Sequence, residues 1–360
     1  MKKYFLTEKY FLHFLRVSRK SEKRRKKTVR KTKAINRRCH GKKKEEVEII
    51  RGYRENIKAP ENCSLLNNSE EVIKFISKIE EAFQKFRSTF VILREVKNFD
   101  YGALTLLLST MSSFKIKGLK FNGNQPKEIN ARVLINDSGF FESLYKNRNG
   151  AEYSLGSPNQ IITHMDKNVI PQVVLPIMEE SSKTIWGDKK IISGLHSALM
   201  ELMQNTNNHA SFGVLGEKHW WLSINHDKQN RRVSFSFVDH GVGIVRSLKG
   251  KPKESPWYNI ASALKIRNDC DFIQKLMEGA LHKAASKTTT KKSYRGKGLP
   301  NIKRMVDYKY ISNLHIITNN VHGNVESGEY NLLSNEFKGT FFYWEIGDSN
   351  KNKPWNIQYQ

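Results

Sequence analysis

Glu201, Asn205 and His209 recur every fourth residue in the stretch ELMQNTNNH. On a helix they line one face, one turn after another. The helix itself is expected over 191–210, where Leu195, Leu199, Leu202 and Met203 form an apolar stripe. An asparagine oxygen can bind Mg²⁺ beside phosphates without adding negative charge. A glutamate one turn earlier can orient and deprotonate an attacking water or hydroxyl. His209, one turn later, can donate toward phosphate oxygens or pack at a pocket mouth. Taken alone, such a stripe serves equally as a solvated surface.

Two later segments give the stripe a context. Asp239-His-Gly241-Val-Gly243-Ile244 follows two strand-like runs, 220–224 and 232–238, that read as a hairpin. An aspartate at a strand end can accept the exocyclic amino hydrogen of adenine, which separates adenine from guanine. Gly241 and Gly243 would let backbone approach the base. The same residues also suit an Asx turn. Arg295-Gly296-Lys297-Gly298-Leu299 is a basic, glycine-bracketed turn preceded by the Thr/Lys run 288–292. The run suits a lid, and the two glycines leave backbone N–H groups free to face anions. A helix beginning near Pro300 would add its N-terminal dipole. A simple basic loop is the alternative. Together the three segments describe one pocket for a nucleotide, its phosphates and Mg²⁺.

The elements that must carry these residues alternate between helix and strand. Residues 69–86 read as an amphipathic helix with Ser69 as its N-cap, 90–93 as a strand and 104–114 as an apolar helix. Residues 116–121 alternate as a strand, 133–145 as a helix or strand–helix piece, 272–281 as a helix, and 338–345 as a closing strand. The glycines and prolines of 151–190 read as a linker. At 360 residues the chain has room for two domains.

Charge is unevenly spread. The chain has 62 Lys+Arg against 35 Asp+Glu, and 22 of those bases but 6 of those acids fall in residues 1–60. Within 16–44 the only acid is Glu22. That stretch cannot bury enough apolar surface to fold alone. It is either a solvated disordered tail or a phosphate-backbone contact for RNA or DNA. It has no aromatic ring beyond His40, which argues against stacking on bases. Cys39, Cys63 and Cys270 match no zinc or redox spacing and suit free thiols in a reducing compartment. No apolar run reaches the ~20 residues of a membrane helix. A cytoplasmic protein without membrane contact is expected.

Two resemblances follow. Residues 191–346 resemble the ATPase fold shared by gyrase, heat-shock chaperone ATPases, histidine kinases and MutL (the GHKL superfamily). The motifs that carry it are Glu201-Leu-Met-Gln-Asn205-Thr-Asn-Asn-His209, Asp239-His-Gly241-Val-Gly243, Arg295-Gly-Lys-Gly298-Leu299 and Gly339-Thr340. The resemblance implies a Bergerat-fold α/β sandwich, a mixed sheet with helices on one face. It implies ATP and Mg²⁺ as cofactors, Asn205 on the metal, Asp239 on adenine with Thr340 as a secondary contact, Gly241 and Gly243 along the base, and Gly296 and Gly298 in the phosphate lid. Thr206 departs from the pattern, which usually has alanine. More weakly, Phe99-Asp100-Tyr101-Gly102-Ala103-Leu104 resembles the loop of STAS domains, over residues 68–150. Tyr101 stands where that family has a phosphorylatable serine.

Glu201, four residues before Asn205, and the short stretch after Ile346 point to the anti-sigma-factor serine kinase branch. The expected layout is thus a basic arm (1–60), a small STAS-like α/β domain (68–150), a linker (151–190), an ATP-binding domain (191–346) and a tail (347–360). Two functions stay open. One is hydrolysis of Mg-ATP, or transfer of its γ-phosphate to a protein Ser/Thr, with Glu201 as base. The other is an ATP-gated binding module acting on nucleic acid or a protein partner. Expected partners are a protein regulator or substrate, RNA or DNA through 16–44, and a second copy of the chain as a homodimer.

Overall fold

The computed structural model describes residues 54–145, 160–164, 171–209, 220–249, 265–280 and 298–354. The expected basic arm lies outside them up to residue 53. Residues assigned to its end instead form strand β1 (Arg54–Lys58). This strand pairs in parallel with β3 (Ser88–Ile92), which pairs in parallel with β5 (Phe121–Gly123). A two-residue ladder joins β2 (Asn62–Cys63) to β4 (Asn98–Phe99). The strand expected over 116–121 is displaced, because the preceding helix runs on to Ile116.

Helices α1 (Ser69–Gln84) and α2 (Tyr101–Ile116) lie against this small sheet, and α3 (Ile129–Asp137) and α4 (Phe140–Tyr145) follow it. Helix α1 buries Val72, Ile73, Phe75, Ile76, Ile79, Ala82 and Phe83, the i, i+3, i+4 pattern of one apolar face. Its N-cap position is Asn68, not Ser69; the Ser69 hydroxyl lies 3.1 Å from His322 Nδ1 instead. Helix α2 is apolar nearly all round because both its sides are covered. Asp100 fixes its start by accepting from Ala103 N–H (2.7 Å), Ser64 Oγ–H (2.8 Å) and Leu66 N–H (3.2 Å). Burial pushes this carboxyl up, against those hydrogen bonds. In the segment read as a STAS-type loop, the aspartate therefore caps a helix and pins the 64–66 turn.

The expected linker over 151–190 contains structure. Strand β6 (Gln160–His164) joins the large sheet, helix α5 (Pro171–Trp186) packs on it, and β7 (Lys190–Ile191) pairs with β12 (Lys353–Pro354) in the expected tail. Helix α6 (Ser193–His209), β8 (Trp220–Asp227), β9 (Arg232–Asp239), α7 (Ile244–Lys249), α8 (Asp269–Met277), α9 (Gly298–Asp307), β10 (Ser312–Asn324) and β11 (Glu329–Gly347) complete the chain. The large sheet has the order β10-β11-β9-β8-β6. Every pairing in it is antiparallel, where a mixed sheet was expected. Strand β10 doubles back near Asn319 (φ +52°), so that Val325 N–H donates to Leu314 O (2.8 Å).

Side-chain alternation assigns the two faces of this sheet. Trp220, Leu222, Ile224, Val233, Phe235, Phe237, Phe342 and Trp344 pack under α5, α6, α8 and α9. Trp221, Val238, Ile317, Phe337 and Phe341 share a core with α1, α2 and the small sheet. Helices therefore cover both faces, not one. The upstream α/β unit and the second face of the large sheet form one continuous core, so the expected boundary near residue 150 separates no independent cores. Each fully buried Leu or Phe contributes roughly 1.5–3 kcal/mol. Glu70 reinforces the junction by accepting from the N–H groups of Ser334 (2.9 Å) and Asn335 (3.1 Å). The chain is thus α/β, and among the described residues no helix is long and apolar enough to cross a membrane.

Candidate functional site

Helix α6 gathers the site. Its apolar residues Leu195, Leu199, Leu202 and Met203 are buried against the sheet, which leaves Glu201 and Asn205 on the flank that meets α9. Gly298, the first residue of α9, lies against both. A Cβ there would come 2.7 Å from Glu201 Oε2 and 3.2 Å from either side-chain tip atom of Asn205. Glycine is what allows the start of α9 to approach the carboxylate and the amide. Asn301, in the first turn of α9, donates from Nδ2 to Glu201 Oε1 (2.8 Å), and Arg304 in turn bonds the Asn301 oxygen. Sequence reasoning missed Asn301: it lies beyond the glycine turn and looks like a solvated polar residue. Leu299 packs against the core beside α6. Arg295, Gly296, Lys297 and the lid-like run before them lie outside the described residues. His209 closes α6, and its side chain lies outside them as well.

One residue beyond Asn205, Thr206 links the helix to the sheet. It is buried, its hydroxyl donates to Leu202 O (3.1 Å), and it lies close enough to Asp239 to favour the carboxylate. Asp239 ends β9 opposite Thr340 of β11 and accepts from Gly241 N–H (3.0 Å). The residue keeps some exposed surface, yet burial pushes its carboxyl up to about 6. The Gly241 N–H, the Thr340 hydroxyl and N–H, and the Thr206 hydroxyl work in the opposite direction, favouring the carboxylate. Thr206, the departure from the resembled motif, is thus a polar neighbour of Asp239.

Gly243 sits at φ +78°, a backbone state open to glycine, and any Cβ there would overlap the Asn319 amide. Asn319 clamps this turn. Its Oδ1 accepts from Val245 N–H (3.0 Å), and its Nδ2 donates to Val242 O (2.9 Å) and Glu336 Oε1 (3.1 Å). Next to it, Thr318 Oγ1 accepts from Ile244 N–H (2.9 Å). Gly243→Ala is expected to cost about 2–3 kcal/mol of stability through backbone strain and displacement of Asn319, measured by chemical denaturation.

The structure therefore joins Glu201, Asn205, Gly298 and Leu299 in one corner of the site, and Asp239, Gly241 and Thr340 in another. Thr206 stands between them, and Gly243 is anchored by β10. A carboxylate, an amide and a helix N-terminus meet at the first corner. A buried acceptor for an N–H donor sits at the second. Comparison with protein-family models, with curated proteins and with solved structures finds no match for this chain.

Proposed function

We propose that the chain binds Mg-ATP in a Bergerat-type site between α6, the Asp239–Gly243 turn and the start of α9, and cleaves or transfers the γ-phosphate. The observation that carries this reading is the meeting of Gly298 with Glu201 and Asn205, about a hundred residues apart in sequence, on the helix that also reaches Asp239 through Thr206. Residues of two motifs that are individually weak thus meet, Glu201 and Asn205 on α6 with Gly298 at the start of α9. The antiparallel sheet and its second helical layer differ from the expected sandwich. The reading is supported by the α6 side of the sheet, where Gly298 lies against Glu201 and Asn205.

Each residue has a job within this proposal. Asp239 accepts the amino hydrogen of adenine. Gly241 and Gly243 bring backbone to the base. The N–H groups at the start of α9 would face phosphate oxygens. Asn205 offers a neutral oxygen to Mg²⁺, and the space that a Cβ on Gly298 would fill lies beside it. When bound, Mg²⁺ neutralises phosphate charge. Glu201, held by Asn301, is placed to take a proton from a water or a protein hydroxyl.

The buried Asp239 also sets a pH dependence. Its folded pKa is raised above the ordinary 3.8, so without nucleotide its contribution to stability is full below that value and lost as pH rises through about 6. Adenine's amino hydrogen favours the ionised carboxylate. ATP affinity should therefore rise with pH through about 6 and then level off. Calorimetric titration with Mg-ATP across this range checks it. Affinity that is flat or falling with pH would remove Asp239 from the base contact.

A further inference from the structure

Alternation along β9 continues past its end. Phe237 and Asp239 face α6, whereas Val238 and His240 face the upstream α/β unit. In the sequence His240 simply stands between Asp239 and Gly241. In the structure it is a buried contact, 6% exposed, made with helices α1 and α2 of the upstream unit. Its Nε2 lies 2.6 Å from Ser109 Oγ on α2, and its Nδ1 lies 4.0 Å from Glu80 Oε1 on α1. Phe337 of β11 meets its ring edge-on at 6.4 Å. Ser109 donates its own hydroxyl hydrogen to Leu106 O (2.8 Å), so its oxygen accepts from His240 Nε2–H. In that tautomer Nδ1 is the unprotonated nitrogen, and it faces Glu80. Glu80 is 3% exposed, and burial pushes its carboxyl up to about 7, against the charge of Lys338.

A histidine buried only to fill space would not need a serine whose hydrogen is committed elsewhere, or a carboxyl brought out of water beside it. The polar contacts fix the backbone of residue 240, and residue 240 is covalently next to both Asp239 and Gly241. We propose that His240 is a positioning residue: from the far face of the sheet, the upstream α/β unit holds the Asp239–Gly241 turn in its nucleotide-binding geometry through this side chain. The inference rests on the nucleotide reading of Asp239. It gives the upstream unit a role in setting affinity that requires no phosphorylatable serine at Tyr101. Any partner that shifts α2 against the sheet would change affinity by the same route.

The test is calorimetric titration of the full chain with Mg-ATP. His240→Ala should weaken binding about tenfold, the equivalent of one lost buried hydrogen bond. His240→Gln, whose amide N–H reaches toward Ser109 as Nε2–H does, should recover most of that loss. Ser109→Ala should weaken binding in the same direction while melting near the wild-type temperature. Wild-type affinity in a folded His240→Ala variant, or no recovery by glutamine, would overturn the proposal. If His240→Ala fails to fold, Ser109→Ala decides. If the wild-type chain binds no Mg-ATP, the pocket reading fails. The positioning role is then read from hydrogen exchange at Gly241, whose N–H bonds Asp239 Oδ1 at 3.0 Å. Ser109→Ala should speed exchange there relative to mid-strand amides of β9, and unchanged exchange would refute it.

Discussion

Glu201→Gln is expected to reduce turnover of Mg-ATP by roughly 10²–10⁴-fold, the usual contribution of a positioned general base, while leaving ATP affinity within about threefold of wild type. The substitution is nearly isosteric. A glutamine oxygen still accepts from Asn301 Nδ2, so the link between α6 and α9 survives, and Gly298 still finds the space it occupies now. What disappears is the ability to accept a proton. Loss of kcat at unchanged affinity, measured by phosphate release alongside calorimetry, marks a group acting in the transition state. A parallel loss of affinity would instead make Glu201 part of the binding framework. Asn301→Ala provides a control on orientation: it frees the carboxylate without removing it and should give a smaller fall in kcat.

The second large effect is expected at the other corner. Asp239→Asn should weaken ATP binding by about ten- to a hundredfold, because a buried carboxylate surrounded by donors becomes an amide whose NH₂ must face some of them. Gly241 N–H and the Thr340 hydroxyl and N–H point their hydrogens toward the present oxygens, and the Thr206 hydroxyl stands beside them. An amide can satisfy part of that set and cannot also accept from adenine as before. Ionising Asp239 works against burial, so the folded Asp239→Asn variant should not melt lower than wild type above about pH 6. Weaker binding without lower stability separates a lost ligand contact from a damaged fold.

Much of the site was legible because helical periodicity is a strong signal. The spacing of Leu195, Leu199, Leu202 and Met203 fixed the buried face of α6, and with it the flank bearing Glu201 and Asn205. The β8–β9 hairpin was equally clear from its two apolar runs. Strand β10 was not, because SNLHIITNNVHGN is polar, bends at Asn319 and pairs unevenly with β11. Its contribution to the glycine turn, through Thr318 and Asn319, could come only from tertiary structure. Strand β6 was hidden by the glycines and prolines around it.

The second helical layer did leave a trace. Phe341-Phe342-Tyr343-Trp344 is apolar without alternation, as expected of a strand covered on both faces. Val238 beside Phe237 says the same of β9. His240 lacked any such signal, since one histidine between an aspartate and a glycine is an ordinary turn residue until its neighbours are known.

The central claim is that α6, the Asp239 turn and the start of α9 form a site selective for adenine nucleotide. The most direct measurement is titration of the full-length chain with ATP and GTP, each with and without Mg²⁺. The account predicts saturable binding of one Mg-ATP per chain, weakened when Mg²⁺ is removed, with GTP at least about tenfold weaker because guanine offers no amino hydrogen where Asp239 waits. Equal binding of GTP, or no saturable binding of ATP with Mg²⁺ present, would contradict it.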